Sequence, residues 1–374
     1  MLWHELFSAF LINVLGFERN RLHKCVFTKV VENEEHITAV LYVDDLLLSS
    51  ANKQVLDKVI DTIKENFGNV HTSNYNEFDY LGVHVKMNNE TKSAELSCDD
   101  YIRRIISHDL FADDRNMKMY KTPASSNLFE VNEESEPLTH EVKEMFHSVV
   151  AKLLWIALRV RLDVLMTTAY LSSKVHNPTN HELGKLKRLV GYLKFRPKVM
   201  LHLNAESLIK DGVIHAYCDA AHAVHKPSMK SHLGCFISLG SGPVALKSVG
   251  AKRMSTSSTN SEIYAFSLII SMLQGAVNFL SSFGVTVKSI CIHEDNEAVI
   301  KMILGDRPLA EGSRHMEIHR LYIKEELDLL PDAKVVWCES EEMIADILTK
   351  ALQGLQFEKL VLMMGMCPVT DQDT

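Results

Sequence analysis

Between Trp3 and Gly16 the apolar residues Leu6, Phe7, Phe10, Leu11, Val14 and Leu15 recur every three or four positions, the period of an amphipathic helix. The pattern then shifts to strands. Cys25 to Val31 is rich in β-branched and apolar residues, and Ile37 to Val43 faces Leu46 to Leu48 across Asp44-Asp45, which predicts a hairpin with an acidic tip. A helix from Lys53 to Phe67 and a short apolar strand from Phe78 to Met87 complete a small α/β unit ending near residue 120. From Lys121 to Glu141, prolines, serines, asparagines and glutamates leave little apolar surface to bury, so this segment reads as a linker.

Helical periodicity returns over Glu141 to Leu158, Leu162 to His176 and, after Asn177-Pro178-Thr179, His181 to Lys194. Strands are expected at Val213 to Asp219, Gly234 to Leu239 and Val244 to Val249, the last two joined by Gly240-Ser241-Gly242-Pro243. A long helix from Thr259 to Ser282, a strand from Lys288 to His293 and a helix from Glu297 to Leu304 come next. Last come a helix near Ile318 to Leu329, a strand from Lys334 to Trp337 and a helix from Glu342 to Lys350. Three antiparallel strands followed by alternating helices and strands predict an α/β (α+β) fold with a mixed five-stranded sheet.

Length and composition narrow this picture. A chain of 374 residues suits more than one domain, and 46% hydrophobic with 24% charged residues is the make-up of a folded globular protein. The apolar runs Leu6 to Phe17 and Leu268 to Leu280 are interrupted by polar residues and fall short of the ~20 needed to cross a bilayer, so no membrane span is expected. No basic leader precedes an apolar run at the N-terminus, and secretion is not expected. Seven scattered cysteines form no Cys-x-x-Cys pair, which argues against a disulfide framework or zinc cluster and for an intracellular setting, cytoplasm or nucleus. A net charge of -8 argues mildly against a phosphate-rich partner unless local basic patches supply the contacts.

Four carboxylates are candidates for chemistry: Asp219 at the end of the first strand of the mixed sheet, Glu262 in the long helix, Asp295 after the fourth strand and Asp346 in the last helix. Each adjoins apolar residues, so each sits at the margin of a buried surface, where an unpaired charge is costly. Hard divalent cations are their natural partners, and a cluster of carboxylates is what holds two such ions for phosphodiester hydrolysis.

These positions lie in Tyr217-Cys218-Asp219-Ala220, Ser257-Ser258-Thr259-Asn260-Ser261-Glu262-Ile263-Tyr264-Ala265, Glu294-Asp295-Asn296 and Ala345-Asp346-Ile347-Leu348-Thr349-Lys350. Together they resemble the ribonuclease H of copia-type long-terminal-repeat retrotransposons. The resemblance implies that Asp219, Glu262, Asp295 and Asp346 bind two Mg²⁺ or Mn²⁺ ions and cut the RNA strand of an RNA/DNA hybrid. It assigns both ions to Asp219 and Asp295, one ion and the substrate side to Glu262, and the ion that delivers water to Asp346. His315 also matches a family position; capping of the following helix is its expected role. Two departures stand out: Ala220-Ala221-His222 replaces Ala-Asp-Trp, and Ala351 replaces the Pro after Thr-Lys. Neither removes a metal ligand, but the first could weaken activity or substrate grip.

Tyr42-Val43-Asp44-Asp45 resembles the metal-binding motif of the same family's reverse transcriptase. Leu2-Trp3, Gly16-Phe17, Tyr80-Leu81-Gly82-Val83, Lys121-Thr122-Pro123, Arg161-Leu162-Asp163-Val164 and Asn177-Pro178-Thr179 continue the match in order. Four segments follow: a partial reverse-transcriptase palm and thumb (1–124), a linker and helical connection (125–204), a ribonuclease H-like domain (205–352), and a C-terminal helix and tail (353–374). The family's other polymerase Asp lies upstream of this chain's first residue, so Asp44 and Asp45 are expected to make no DNA unaided. Lys185 and Arg188, within a basic run that includes Lys187, Lys194, Arg196 and Lys198, are candidates for the hybrid backbone or for a solvated helix face. Ser257, Ser258, Thr259 and Asn260 are candidates for sugar or phosphate contact or for the cap of the long helix, and Asn296 is a further candidate contact. Expected partners are the hybrid and other parts of the polyprotein. The rival reading is a catalytically dead relic, or a co-opted module that binds nucleic acid or protein.

Overall fold

The apolar stripe at the start of the chain forms helix α1 (Leu2–Asn13). In this computed structural model residues 2–31, 36–112, 117–305 and 314–368 are described. They fall into two units, Met1–Val85 with Asn278–Val285, and Lys86–Val277 with Thr286–Thr374.

In the first unit, β1 (Glu18–Arg19), β2 (Val26–Val30), β3 (His36–Tyr42) and β4 (Asp45–Ser50) form an antiparallel sheet in that order. Alternation in β3 buries Ile37, Ala39 and Leu41 against Phe7, Phe10 and Leu11 of α1 and against Leu56, Val59 and Ile63 of α2 (Lys53–Phe67). Each large side chain so buried contributes roughly 1.5–3 kcal/mol. Asn52 caps α2 by accepting from the Gln54 N–H. The strand expected over 78–87 is broken into β5 (Glu77–Tyr80) and β6 (Val83–Asn88), because Leu81 and Gly82 between them take positive φ, 51° and 79°.

The second unit begins with two elements the sequence pattern did not reveal as such, β7 (Ser93–Ser97) and α3 (Asp99–Ile106). Residues 117–138 form no regular helix, and Thr122, Ala124 and Leu128 among them are buried. Helices α4 (His140–Ala157), α5 (Leu165–Ser172) and α6 (Asn180–Phe195) follow, the last opened by a capping box between Thr179 and Glu182. Between α4 and α5 the fully buried Arg161 donates to both carboxylate oxygens of Asp163, at 3.1 and 2.8 Å, and to the Arg196 carbonyl; the Tyr192 hydroxyl donates to the same Asp163 at 2.6 Å. This network joins the α4–α5 connection to α6.

After β8 (Val199–Asn204) and α7 (Glu206–Asp211) comes the mixed sheet: β9 (Val213–His225), β10 (Lys230–Ser238), β11 (Pro243–Gly250), β12 (Ser289–Glu294) and β13 (Ala333–Trp337). Its spatial order is β11-β10-β9-β12-β13. The β9–β10 and β10–β11 pairs are antiparallel, whereas β12 runs parallel to both β9 and β13, as expected of a mixed five-stranded sheet. Helix α8 (Ser258–Ser281) packs on the face of the sheet that carries Cys235, whose thiol meets the Ala265 carbonyl. Length and composition alone would let α8 cross a membrane, but Ile263, Phe266, Ile269, Ile270 and Leu273 are fully buried, which makes it a core helix. Helices α9 (Glu297–Leu304) and α10 (Arg314–Leu329) connect β12 to β13, and α11 (Gly354–Met363) leads to β14 (Met366–Pro368). Strand β14 pairs with β8, and β8 with β7.

Two expectations need correction. Strand β9 does not stop at Asp219 but continues to His225, because its extension pairs with β10 through Ala221–His232 and His225–Lys230. The helix expected over 342–350 is two 3-10 turns, Ser340–Glu342 and Ile344–Leu348. Ile344, Ala345, Ile347 and Leu348 are all buried, so this segment has no solvent face to favour an amphipathic α-helix.

Candidate metal centre

The parallel register pairs His215 with Cys291 and Tyr217 with His293. Two residues further along, alternation brings Asp219 and Asp295 side by side at the end of the β9–β12 pairing. The third acid arrives because β10 opposes Asp219 with Gly234, which has no side chain. A Cβ there would lie 2.9 Å from the Ala345 carbonyl oxygen, 2.7 Å from Thr349 Cγ2 and 3.0 Å from Leu348 Cβ. The 3-10 turn carrying Asp346 therefore sits directly on the sheet. Carboxylate oxygens of Asp219, Asp295 and Asp346 all lie within 4.8 Å of one another, the one such group of potential metal ligands among the described residues.

Neighbours fix these acids. The buried Thr349 hydroxyl donates to Asp219 Oδ2, Ser340 donates to Asp295 at 3.0 Å, and Lys350 Nζ bridges Asp219 (3.1 Å) and Asp346 (2.6 Å). Burial works against the charge on Lys350, but Asp219 and Asp346 outweigh it and hold the ammonium protonated. Burial, then Asp219, pushes the Asp346 carboxyl up, with Lys350 pulling the other way.

Glu262 lies outside the trio. It projects from the first turns of α8, is buried, and its Oε2 has no hydrogen-bond partner. Burial, followed by the charges of Asp219, Glu294 and Asp295, drives its carboxyl well above the usual range. An unpartnered buried carboxylate oxygen beside three clustered carboxylates is a donor set that fits a hard divalent cation.

Sequence reasoning assigned no role to Thr349, Lys350, Ser340, Gly234 or Glu294. Glu294 carried a signal: it follows Ile290 and Ile292 at the buried positions of β12, where a third apolar residue would be ordinary. Thr349 and Lys350 stand three and four residues after Asp346, within one turn of it.

Other candidates have structural engagements. Asn296 caps α9, accepting from the N–H groups of Ala298 and Val299. Ser257, not Ser258 or Thr259, caps α8 by accepting from the Asn260 N–H; Ser258 is exposed and Thr259 half-buried. Lys185 turns inward to the Glu130 carbonyl (2.6 Å) and the Tyr170 hydroxyl (2.9 Å), and Arg188 donates to Thr122 at 3.0 Å while lying over the Tyr120 ring. His222, one of the departures from the family pattern, hydrogen-bonds Ser261 at 2.8 Å, next to Glu262. The side chain of His315 lies outside the described residues.

In the first unit, Asp44 and Asp45 are exposed at the β3–β4 turn. Val43 there takes a positive φ of 51°, a strained conformation for a β-branched residue, and its carbonyl accepts from Trp3 Nε1 at 3.1 Å.

Known proteins match both parts of this description. The family model for reverse transcriptase (RNA-dependent DNA polymerase) matches residues 1–123. The Ty1-DR5 Gag-Pol polyprotein of Saccharomyces cerevisiae is 22% identical over 368 residues, 96% of this chain and 20% of that polyprotein. The Pol polyprotein from transposon TNT 1-94 of Nicotiana tabacum is 22% identical over 369 residues, 97% of this chain and 27% of its own length. Nearly the whole chain is thus similar to retrotransposon Pol polyproteins, and residues 1–123 match the reverse transcriptase family. The chain spans a fifth to about a quarter of the length of the curated relatives it matches. The crystal structure of ribonuclease H1 from Halobacterium salinarum aligns with 37% of this chain and 94% of that protein, at 20% identity and a TM-score of 0.29.

Proposed function

We propose that residues 205–352 act as a ribonuclease H that cleaves the RNA strand of RNA/DNA hybrids, using two Mg²⁺ or Mn²⁺ ions. The observation that carries this reading is the convergence of Asp219, Asp295 and Asp346 oxygens within 4.8 Å, beside the unpartnered Oε2 of Glu262. Bound divalent ions would supply positive charge to the scissile phosphate and make water a competent nucleophile near neutral pH.

The protein's part is to hold the ligands still. Thr349 and Ser340 orient Asp219 and Asp295, leaving other carboxylate lone pairs for cations. Gly234 fixes the height of the Asp346 turn. Lys350 neutralises part of the local negative charge and is half-exposed, able to face a phosphate as well. Seven free thiols suit work inside a cell.

In this reading residues 1–124 are a reverse-transcriptase part that makes no DNA unaided, and 125–204 and 353–374 flank the nuclease. No third carboxylate joins Asp44 and Asp45 in a metal-sized group among the described residues. Partners would be the hybrid and other parts of the Gag-Pol polyprotein. The test is cleavage of an end-labelled RNA strand in a hybrid with Mg²⁺ or Mn²⁺, comparing the chain with Asp295→Asn. Metal-dependent cutting lost in the variant is expected. Absence of cutting by folded chain would leave the binding-module reading instead.

A further inference from the structure

A string of side-chain hydrogen bonds crosses β9, β10 and β11 and ends on the turn that carries Asp346. Leu348 closes the 3-10 turn Ile344–Leu348, where the last carbonyls of a helix lack intrahelical donors, and the Ser248 hydroxyl of β11 donates to its carbonyl at 2.6 Å. A carbonyl only accepts and a hydroxyl has one proton, so Ser248 Oγ accepts from His232 Nε2 of β10, 2.8 Å away. Burial, then His225, pushes the pKa of His232 down to about 3; burial, then Lys174 and Lys230, pushes that of His225 down to about 4, so at neutral pH each ring carries a single N–H. With its proton on Nε2, His232 accepts at Nδ1, and the donor there is His225 Nε2 of β9, at 2.8 Å. Each link thus has one possible direction: His225 to His232, His232 to Ser248, Ser248 to Leu348.

The outer end of this string is held by residues that precede the mixed sheet. Phe129 meets the His225 ring edge-on at 4.8 Å and the His232 ring at 5.5 Å, and Tyr170 of α5 stacks on His225 at 6.2 Å. Lys185 of α6 ties the two together, donating to the Glu130 carbonyl beside Phe129 and to the Tyr170 hydroxyl.

We propose that Ser248, His232 and His225 are positioning residues of the metal centre: through the Leu348 carbonyl they fix the turn that presents Asp346, and Phe129 and Tyr170 hold the end from which they act. The inference rests on the nuclease reading above, and it makes the region before residue 205 part of the centre's support. Gly234 sets how closely the turn can approach the sheet, and the Ser248 bond keeps it there. Cutting a link leaves a buried donor or acceptor unpaired, and moving the turn relieves that cost. Groups behind metal ligands commonly tune affinity by roughly 10- to 100-fold.

The test is Mn²⁺ binding to the full chain by titration calorimetry, with steady-state cleavage of a labelled hybrid, for wild type, Ser248→Ala, Ser248→Thr, Phe129→Ala and the Ser248→Ala/Phe129→Ala pair. Ser248→Ala should weaken Mn²⁺ binding roughly tenfold and lower kcat, with KM for the hybrid within about twofold of wild type. Ser248→Thr keeps the hydroxyl and should recover most of the loss. Phe129→Ala should weaken binding by itself and add nothing to Ser248→Ala, because the string is already cut; such non-additivity is the mark of residues acting through one another. A purely packing role would lower melting temperatures and leave affinity and kcat alone. Affinity within about twofold of wild type in folded Ser248→Ala, or losses from the two substitutions that simply multiply, overturns the proposal. Should Ser248→Ala fail to fold, His225→Leu, at the half-buried end of the string, is read against the same affinity criterion. Wild type that binds Mn²⁺ without cutting would overturn the nuclease reading alone, with the affinity comparison still deciding this one; wild type that binds no Mn²⁺ would overturn both.

Discussion

Substituting Gly234 by alanine adds one methyl group at the point where the Asp346 turn rests on the sheet. The new Cβ would lie 2.7 Å from Thr349 Cγ2, 2.9 Å from the Ala345 carbonyl oxygen and 3.0 Å from Leu348 Cβ. Ordinary non-bonded carbon contacts lie near ~3.5–4.0 Å, so the turn must retreat by roughly half an ångström or more. One of the three contacts is backbone and the other two belong to residues with no solvent exposure, so no flexible side chain can simply swing away. Overpacking of this kind costs roughly 1–3 kcal/mol. The displacement also carries Asp346 away from Asp219 and breaks the Thr349 bond to Asp219 Oδ2, both of which depend on the turn's height. Misplacing a catalytic constellation by ~1 Å can cost about 10²-fold in rate, so Gly234→Ala should cut hybrids roughly ten- to a hundredfold more slowly than wild type. Single-turnover cleavage of a labelled hybrid at saturating Mg²⁺, with urea denaturation in parallel, measures both quantities. A variant that cuts within twofold of wild type and is equally stable would refute the claim that this glycine sets the turn.

The contribution of Glu262 and Glu294 to metal-free stability should fall as pH rises. Burial and neighbouring acids raise the folded-state pKa of Glu262 and Glu294, so the folded chain binds more protons than the unfolded one above the ordinary carboxylate range. Their stabilising protonation is complete below that range and is lost as pH climbs through the raised values. Because His215, His225, His232 and His293 have pKa values lowered by burial and act in the opposite sense, the acids are isolated by melting wild type and Glu262→Gln in EDTA at pH 5 and pH 8: wild type should lose more stability than the variant between the two, and equal changes would contradict the burial of this acid. Replacing Asp163 by alanine strands the buried Arg161 guanidinium and should cost roughly 3–5 kcal/mol by urea denaturation. A loss under 1 kcal/mol would mean that the network reorganises.

Much of the centre could be read from one-dimensional pattern because alternation along β9 and β12 determines side, and parallel register determines proximity. In the sequence Asp219 and Asp295 are legible from their places at the ends of apolar strands and from the resemblance of their motifs, whereas the parallel register that explains their proximity is seen only in the structure. Asp346 was located by motif but given the wrong local conformation, since an α-helix was assigned to a segment buried on every side, where periodicity carries no information about winding. β7, β8 and β14 escaped notice because Ser93–Ser97 and Met366–Pro368 have little strand character of their own and exist through pairing with β8. The extension of β9 through Ala220-Ala221-His222 has no apolar alternation and owes its form to β10. In each case the deciding partner lies outside the window that a sequence pattern surveys.

The pairing of β8 with β14 joins residues 199–201 to 366–368. These short stretches bracket residues 205–352 in sequence and touch in space, and the Arg196–Glu358 ion pair lies close by in the chain on both sides. The segment therefore departs from and returns to a single clasp. A unit whose entry and exit coincide can be spliced into, or lifted out of, a longer polypeptide with little strain on its flanks, which is the geometry of a cassette.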